Sequence, residues 1–279
     1  MTIRVVTDST CDLPASTIAK YDIKVLPLYI NVGEQEFLDG IDITREEFYE
    51  KLPDFPTHPT TAVPSPMKFK AIYDALADEG ATDIISIHIS EALSAMVNVA
   101  RAAAQETASA VIHVIDGGQL SLGTGLLVEK AAEMVAQGSK LTDILEALQS
   151  QVKRTHVFAA LDTLEFLKRS GRMNRWMSNL GSLLQIKPIL TMNNGQPGNE
   201  KVRTREKAMR KVVEKLEEVG RIERVALVHT HAPERIAELK KLAAHLLPMG
   251  DLMVEDITPV IGAHIGPGAA GFAVVAAEQ

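Results

Sequence analysis

One cysteine, Cys11, is all this 279-residue chain contains, which excludes an intramolecular disulfide framework and fits a reducing compartment. Aromatic side chains are scarce at 4%, while ten methionines are present, so the interior must be filled by aliphatic and flexible thioether groups. No stretch approaches the roughly 18 to 20 consecutive apolar residues that a membrane-crossing helix needs. The opening Met1-Thr2-Ile3-Arg4 leads into a strand rather than a signal peptide. The expectation is a soluble, cytoplasmic protein that deals with lipid, if at all, by enclosing it. Positive charge is also short. A net charge of −7 argues against a nucleic-acid groove, which needs clustered Lys and Arg. The one basic cluster, Lys201 to Lys215, alternates with Glu206 and Glu214 at helical spacing and reads as a solvated helix face.

What is present is an alternation of short β-branched runs with amphipathic stretches. Ile3 to Thr7, Lys24 to Ile30, Asp83 to Ile89 and Ala110 to Ile115 read as strands. Pro14 to Tyr21, Thr44 to Leu52, Ser65 to Asp78, Glu91 to Thr107 and Leu120 to Ala136 read as helices. Thr44 with Glu47 is a capping box, and Ser65 precedes a proline suited to the first helical position. From about Leu141 the sequence turns helix-rich and then to strand pairs. Ile186 to Met192 and Glu200 to Arg203 flank a hairpin signal around Asn194-Gly195, and Arg224 to His229, Leu252 to Ile257 and Gly271 to Ala276 add strands around a helix from Pro233 to Leu246. The predicted class is α/β in two domains. Residues 1–150 form a mostly parallel sheet with helices on both faces, residues 151–279 an α/β unit with an antiparallel or mixed sheet, and the cleft between them is the default ligand site.

Several segments put polar groups where a ligand can meet them. Thr7-Asp8-Ser9-Thr10-Cys11-Asp12 follows the first strand, at the carboxyl edge where doubly wound sheets bind ligands, although the same residues suit helix capping. Thr60-Thr61-Ala62-Val63-Pro64-Ser65 offers adjacent hydroxyls in a loop before a helix, and Ser94 is expected in the first turn of another. Asp162 to Arg172 reads as a helix closed by Gly171, with Arg172 projecting from the corner toward a carboxylate or phosphate. Gly262-Ala263-His264-Ile265-Gly266-Pro267-Gly268 is expected to be neither ordinary core strand nor helix. Its glycines let backbone approach a ligand, and its histidine supplies a polar tip. His229 and His231 can in principle share a metal, but no third ligand has diagnostic spacing. No Gly-x-Ser-x-Gly elbow or dinucleotide fingerprint occurs. The residues leave open an enzyme acting on a small phosphate or acyl ester with Asp8, Asp116 and His264 as acid-base groups, and also a pure interaction module.

Taken together, Thr7-Asp8-Ser9-Thr10, Thr60 to Ser65, Leu93-Ser94, Ser170-Gly171-Arg172, Lys201-Val202-Arg203-Thr204 and Gly262 to Gly268 resemble the DegV family of bacterial fatty-acid-binding proteins in order and approximate spacing. The resemblance implies a single long-chain fatty acid buried between two domains, with no catalytic residue, metal or cofactor beyond the bound lipid. It also implies the role of acyl-carrying subunit of a fatty acid kinase. A separate kinase subunit phosphorylates the carboxylate, and the acyl phosphate passes to an acyltransferase of phospholipid synthesis. By motif position, Thr60, Thr61, Ser94 and His264 match the head-group contacts, Arg172 the rim, and Arg203 a partner contact. The chain departs from the family pattern at Ala95-Met96-Val97, where glycine, a hydroxyl residue and an aromatic are usual, and at Ala62-Val63, where a polar pair is common.

Overall fold

The structure is a computed structural model that describes residues 2–176 and 186–278. The apolar runs of the first half form strands β1 (Ile3–Asp8), β2 (Lys24–Leu26), β3 (Tyr29–Val32), β4 (Gln35–Leu38), β5 (Thr60–Ala62), β6 (Asp83–His88) and β7 (Val111–Asp116). Those of the second half form β8 (Thr155–Ala160), β9 (Lys187–Asn193), β10 (Gln196–Val202), β11 (Ile222–His229), β12 (Met253–Asp256) and β13 (Ala270–Ala276). A parallel sheet has the order β2-β1-β6-β7. Every residue of β6 is buried, as a strand covered on both faces requires. The second sheet, β10-β9-β8-β13-β11-β12, is antiparallel except where β11 runs parallel to β12. The α/β class read from the sequence pattern is the observed one. Among the described residues, no helix is long and apolar enough to cross a membrane.

Caps behave as their chemistry dictates. The Thr44 hydroxyl accepts from the Glu47 N–H at 3.2 Å while the Glu47 carboxylate accepts from the Thr44 N–H at 3.0 Å, and Pro66 opens the helix Pro66–Asp78. Asn194 and Gly195, both at positive φ, close the β9–β10 hairpin in two residues, so Gln196 already pairs with Asn193.

Three expectations are corrected. The run Lys24 to Ile30 is not one strand: pairing stops at Leu26, because Pro27 has no N–H for a ladder, and Tyr29 starts β3 in a separate antiparallel sheet of order β4-β3-β5. The helix expected from Glu91 begins only at Met96. Ser90 Oγ accepts from the Ala92 N–H and Ser94 Oγ from the Met96 N–H, side-chain bonds that hold residues 90–95 in turns. The glycine-rich C-terminal segment is in large part helical, Pro259–Ile265, with only Gly266 to Gly268 turning. Gly262 serves close packing there rather than bending, since a Cβ would fall inside the Tyr49 phenol.

The helix Leu122–Ala136 is buried over most of its surface because it lies between the two large sheets. Its Leu122, Leu126 and Leu127 join Val5, Ile85 and Ile87 of the parallel sheet to Val157, Met192 and Ala273 of the mixed one in a single apolar cluster. The helices Arg205–Val219 and Pro233–Leu242 cover the opposite face of the mixed sheet. The first presents Lys211 and Lys215 to Glu200, Glu214 and Glu218, the solvated ion-paired face that its sequence predicts.

Candidate functional site

In the parallel sheet the chain moves outward from β1 to β2 and then returns across β1 to β6, so the loops after β1 and β6 diverge and open a crevice at the carboxyl edge. Thr10 after β1 and Ile89 after β6 form the floor of a cavity of about 440 Å³ at that crevice. Its other walls come from β5, from the helix Pro259–Ile265 and from residues 172–176, and they are largely aliphatic. Behind it lies a further apolar space of about 30 Å³ that shares Leu120, Trp176, Ile261 and Ile265 with the first. The volume is in the range of small-molecule sites, roughly 300 to 1,000 Å³.

Polar groups gather in one part of this wall. Thr61 Oγ1 lies 2.9 Å from His264 Nε2, and Ser94, whose oxygen accepts from the Met96 N–H at 3.3 Å, keeps its own proton to donate. Arg172 Nη1 donates to the Ser170 carbonyl at 2.7 Å, and Arg175 Nη1 to the Ala92 carbonyl at 3.3 Å. Both guanidiniums line the cavity, no carboxylate side chain does, and neither arginine has an ion-pair partner among the described residues. Residues 177–185 contain no Asp or Glu to supply one. Burial, reinforced by Arg172, His58 and Arg175, pushes the His264 imidazole down to about 3. At neutral pH the ring is therefore uncharged. His264 Nδ1 is buried and finds no hydrogen-bond partner among the described residues.

Thr61, Ser94, Arg172 and His264, four residues singled out in the sequence, thus share one cavity. Thr60 does not line it. Thr60 is exposed at the start of β5, whereas Thr61 and Ala62, the next two residues of the strand, are half-buried and reach the wall. Arg203 lies exposed just beyond β10 and is likewise not on the cavity wall. The acid-base set Asp8, Asp116 and His264 is not assembled. Asp8 accepts from Thr10 and sits 2.8 Å from His88 Nδ1, Asp116 accepts from the Gly118 N–H at 2.9 Å, and His264 bonds Thr61. His229 is 3.5 Å from Asp256, His231 stacks on Tyr49, and no cluster of three metal-ligating side chains exists among the described residues. Sequence reasoning missed Arg175 and Trp176. The signal was there for the arginine, since Arg172 and Arg175 are three apart, the spacing that puts two side chains on one face of a helical turn.

Comparison with known proteins then settles the family. Residues 2–277 match the profile described as uncharacterised protein, DegV family. The chain belongs to the DegV family. A DegV domain-containing protein of Caldanaerobacter subterraneus subsp. tengcongensis is 33% identical over 96% of this chain and 97% of its own length. Among solved structures, a fatty-acid-binding DegV family protein from Thermus thermophilus superposes with a TM-score of 0.90 at 34% identity, covering 99% of this chain and 100% of that one. DegV from Bacillus subtilis, a fatty acid binding protein, gives 0.90 at 31% identity with the same coverage. In this DegV chain the departures noted in the sequence fall on the cavity. Ala62, Val63 and Ala95 are wall residues, while Met96 and Val97 are buried in the helix beside it.

Proposed function

We propose that this chain binds one long-chain fatty acid in the cavity, with the acyl chain along the aliphatic wall and the carboxylate at Thr61, Ser94 and His264, Arg172 standing at the rim. The observation that carries this reading is an apolar cavity lined by hydroxyls, an imidazole and two arginines, with no acidic side chain on its wall and no ion-pair partner for either arginine among the described residues. Relatives of known structure that bind fatty acid and share about a third of their residues with the chain support it. Burying about 15 methylenes at about 0.8 kcal/mol each offers roughly 12 kcal/mol before ordering of the chain is subtracted. Each hydrogen bond to the charged carboxylate adds about 1.5 to 3 kcal/mol. The tail therefore sets affinity and the head sets direction.

The neutral His264 has a definite part. In its Nε2–H tautomer it donates to Thr61 Oγ1, which turns the threonine proton toward the ligand carboxylate. In the same proposal, the chain is a carrier rather than an enzyme, with the boundary between its two domains near residue 150. A separate kinase subunit supplies ATP; a carboxylate oxygen attacks the γ-phosphorus, ADP leaves, and the acyl phosphate goes on to an acyltransferase of phospholipid synthesis. Arg203, exposed beyond β10, is the candidate partner contact. Native mass spectrometry tests the core of the reading. The protein expressed in bacteria is expected to carry a fatty acid, and after delipidation to take up palmitate at one per chain; a delipidated, folded protein that takes up none sinks it.

A further inference from the structure

The main cavity shares a wall with a second cavity of about 310 Å³. In the turn Ser9–Cys11, Thr10 lines the first space while Ser9 and Cys11 line the second. At the start of the helix Pro259–Ile265, Thr258 lines the second space while Val260 and Ile261 line the first. The charged side of the second cavity consists of Asp12, Asp39 and Arg45. Both carboxyls are buried and both hold Thr258, Asp12 accepting from its N–H at 2.8 Å and Asp39 from its hydroxyl. The helix has no side-chain cap of its own, so its first turn is tied to two acids supplied from the other end of the chain.

Charge in this group is not balanced. Arg45 lies 3.3 Å from Asp12 and 3.2 Å from Glu255, and Asp39 has no ion-pair partner among the described residues. The other titratable groups packed against the pair are Asp8 and Cys11 of β1 and its turn, Tyr49 of the helix Arg45–Lys51, and Glu255 and Asp256 at the end of β12. Behind them stand His88 on Asp8, His229 on Asp256 and His231 on Tyr49. Burial pushes the Cys11 thiol up to about 12 and the Tyr49 phenol well above its ordinary value, so both stay neutral. Among the described residues, Arg45 is the only arginine or lysine paired with the group.

We propose that Asp12 and Asp39 are positioning residues that act as a proton-operated latch on the helix Pro259–Ile265: with protons bound they keep the helix packed and Ile261, His264 and Ile265 in place, and on losing them they release it and loosen the cavity's hold on its ligand. The inference rests on the fatty-acid reading for the ligand and adds its regulation. In the latched form burial holds the Asp12 carboxyl at about 7 and that of Asp39 at about 6; movement of the helix admits water from the second cavity and returns both toward 3.8. The latched form therefore binds protons that the released form gives up. Its advantage is complete below about pH 4 and is lost as the pH rises through about 7. His264, held down to about 3, takes no part in this titration.

The test follows release of palmitate from the full chain to phosphatidylcholine vesicles at about pH 5.5 and about pH 8. Wild-type release is expected to be roughly tenfold faster at the upper pH, the equivalent of one unit of proton affinity. Asp12→Asn, uncharged at every pH, keeps the slow rate at both. Titration of palmitate itself is common to the two proteins and cancels in their ratio. Hydrogen exchange of residues 259–265 in the delipidated chain, corrected for the intrinsic pH dependence of exchange, reads the latch without lipid. Protection falls toward the upper pH in the wild type and stays constant in Asp12→Asn. Circular dichroism establishes that the variant is folded, and Asp39→Asn takes its place if it is not. A merely structural role for the two acids lowers stability and moves neither pH profile. The same pH dependence of release in wild type and folded variant, or helix protection that does not change with pH in the wild type, overturns the inference. A wild-type chain that takes up no palmitate at either pH removes the fatty-acid reading instead, and the exchange measurement still decides the latch.

Discussion

Asp12 and Thr258 lie 246 residues apart in the chain and meet through a 2.8 Å hydrogen bond, the Thr258 N–H donating to Asp12 Oδ1. The Thr258 hydroxyl donates to Asp39, the Ser121 hydroxyl to Asp12, and Arg45 bridges Asp12 at 3.3 Å to Glu255 at 3.2 Å. Carboxylates of the first half thereby hold the start of the helix Pro259–Ile265, which contributes Ile261, His264 and Ile265 to the cavity.

Burial raises the Asp12 carboxyl from 3.8 to about 7 and that of Asp39 to about 6, in both cases against the opposing pull of Arg45 and hydroxyl donors. Between about pH 4 and pH 7 the folded chain therefore retains protons that the unfolded chain has released, and this site's contribution to stability falls as pH rises through that window. Asp12→Asn is expected to flatten the dependence. Urea midpoints at pH 5 and pH 8 check it, and a wild-type midpoint that climbs toward pH 8 equally in both proteins counts against the assignment.

Thr61→Val removes the hydroxyl between His264 and the proposed carboxylate while keeping the β-branched shape that β5 favours. Palmitate affinity should fall about tenfold, the equivalent of one charged hydrogen bond, with stability changed by about 1 kcal/mol. Isothermal titration calorimetry measures the first and thermal denaturation the second. Unaltered affinity places the head group elsewhere.

The His264 ring offers a direct electrostatic readout. Without ligand it should stay neutral down to about pH 3. A carboxylate bound beside it favours the imidazolium and raises the value. NMR titration of the ring protons, with and without palmitate, follows the change; a value lowered by palmitate rules out an adjacent carboxylate.

Ile261 borders both the main cavity and the small apolar space behind it. Ile261→Phe should close the inner space and shift the bound lipid toward shorter chains, each excluded methylene costing about 0.8 kcal/mol. The chain-length profile of co-purified lipid decides this, since an identical profile in wild type and variant puts the tail in another direction.

Gly262→Ala should be destabilising by about 1 to 3 kcal/mol, because the new methyl group must displace the Tyr49 ring, whose hydroxyl donates to the Ile257 carbonyl at 2.9 Å. Tyr49→Phe in the same chain should give a non-additive change, as expected for residues in contact. Additive midpoints would show the two sites to be independent.

Where local chemistry suffices, the sequence was readable. The Thr44-Glu47 box, Pro66 and Asn194-Gly195 all act within a few residues of themselves, and they form as their composition dictates. The residues meeting at the cavity were also legible one by one, as hydroxyls, an imidazole and an arginine beside strand ends and glycines. The helix Pro259–Ile265 was not, because Gly262 reads as a bend in isolation and becomes a packing device only when Tyr49, more than two hundred residues earlier, lies against it. Thr60 and Thr61 are equivalent in sequence, and only the packing around the end of β5, which leaves Thr60 exposed and half-buries Thr61, separates them.

The amino-acid sequence by itself determined the α/β class, most element positions and the aliphatic character of the interior, since period, caps and turns are short-range properties of the chain. The tertiary structure decided which polar side chains share a wall, that Arg175 joins Arg172, and that His264 is neutral. Those outcomes depend on burial and on charges brought together from distant segments, and no local pattern encodes either.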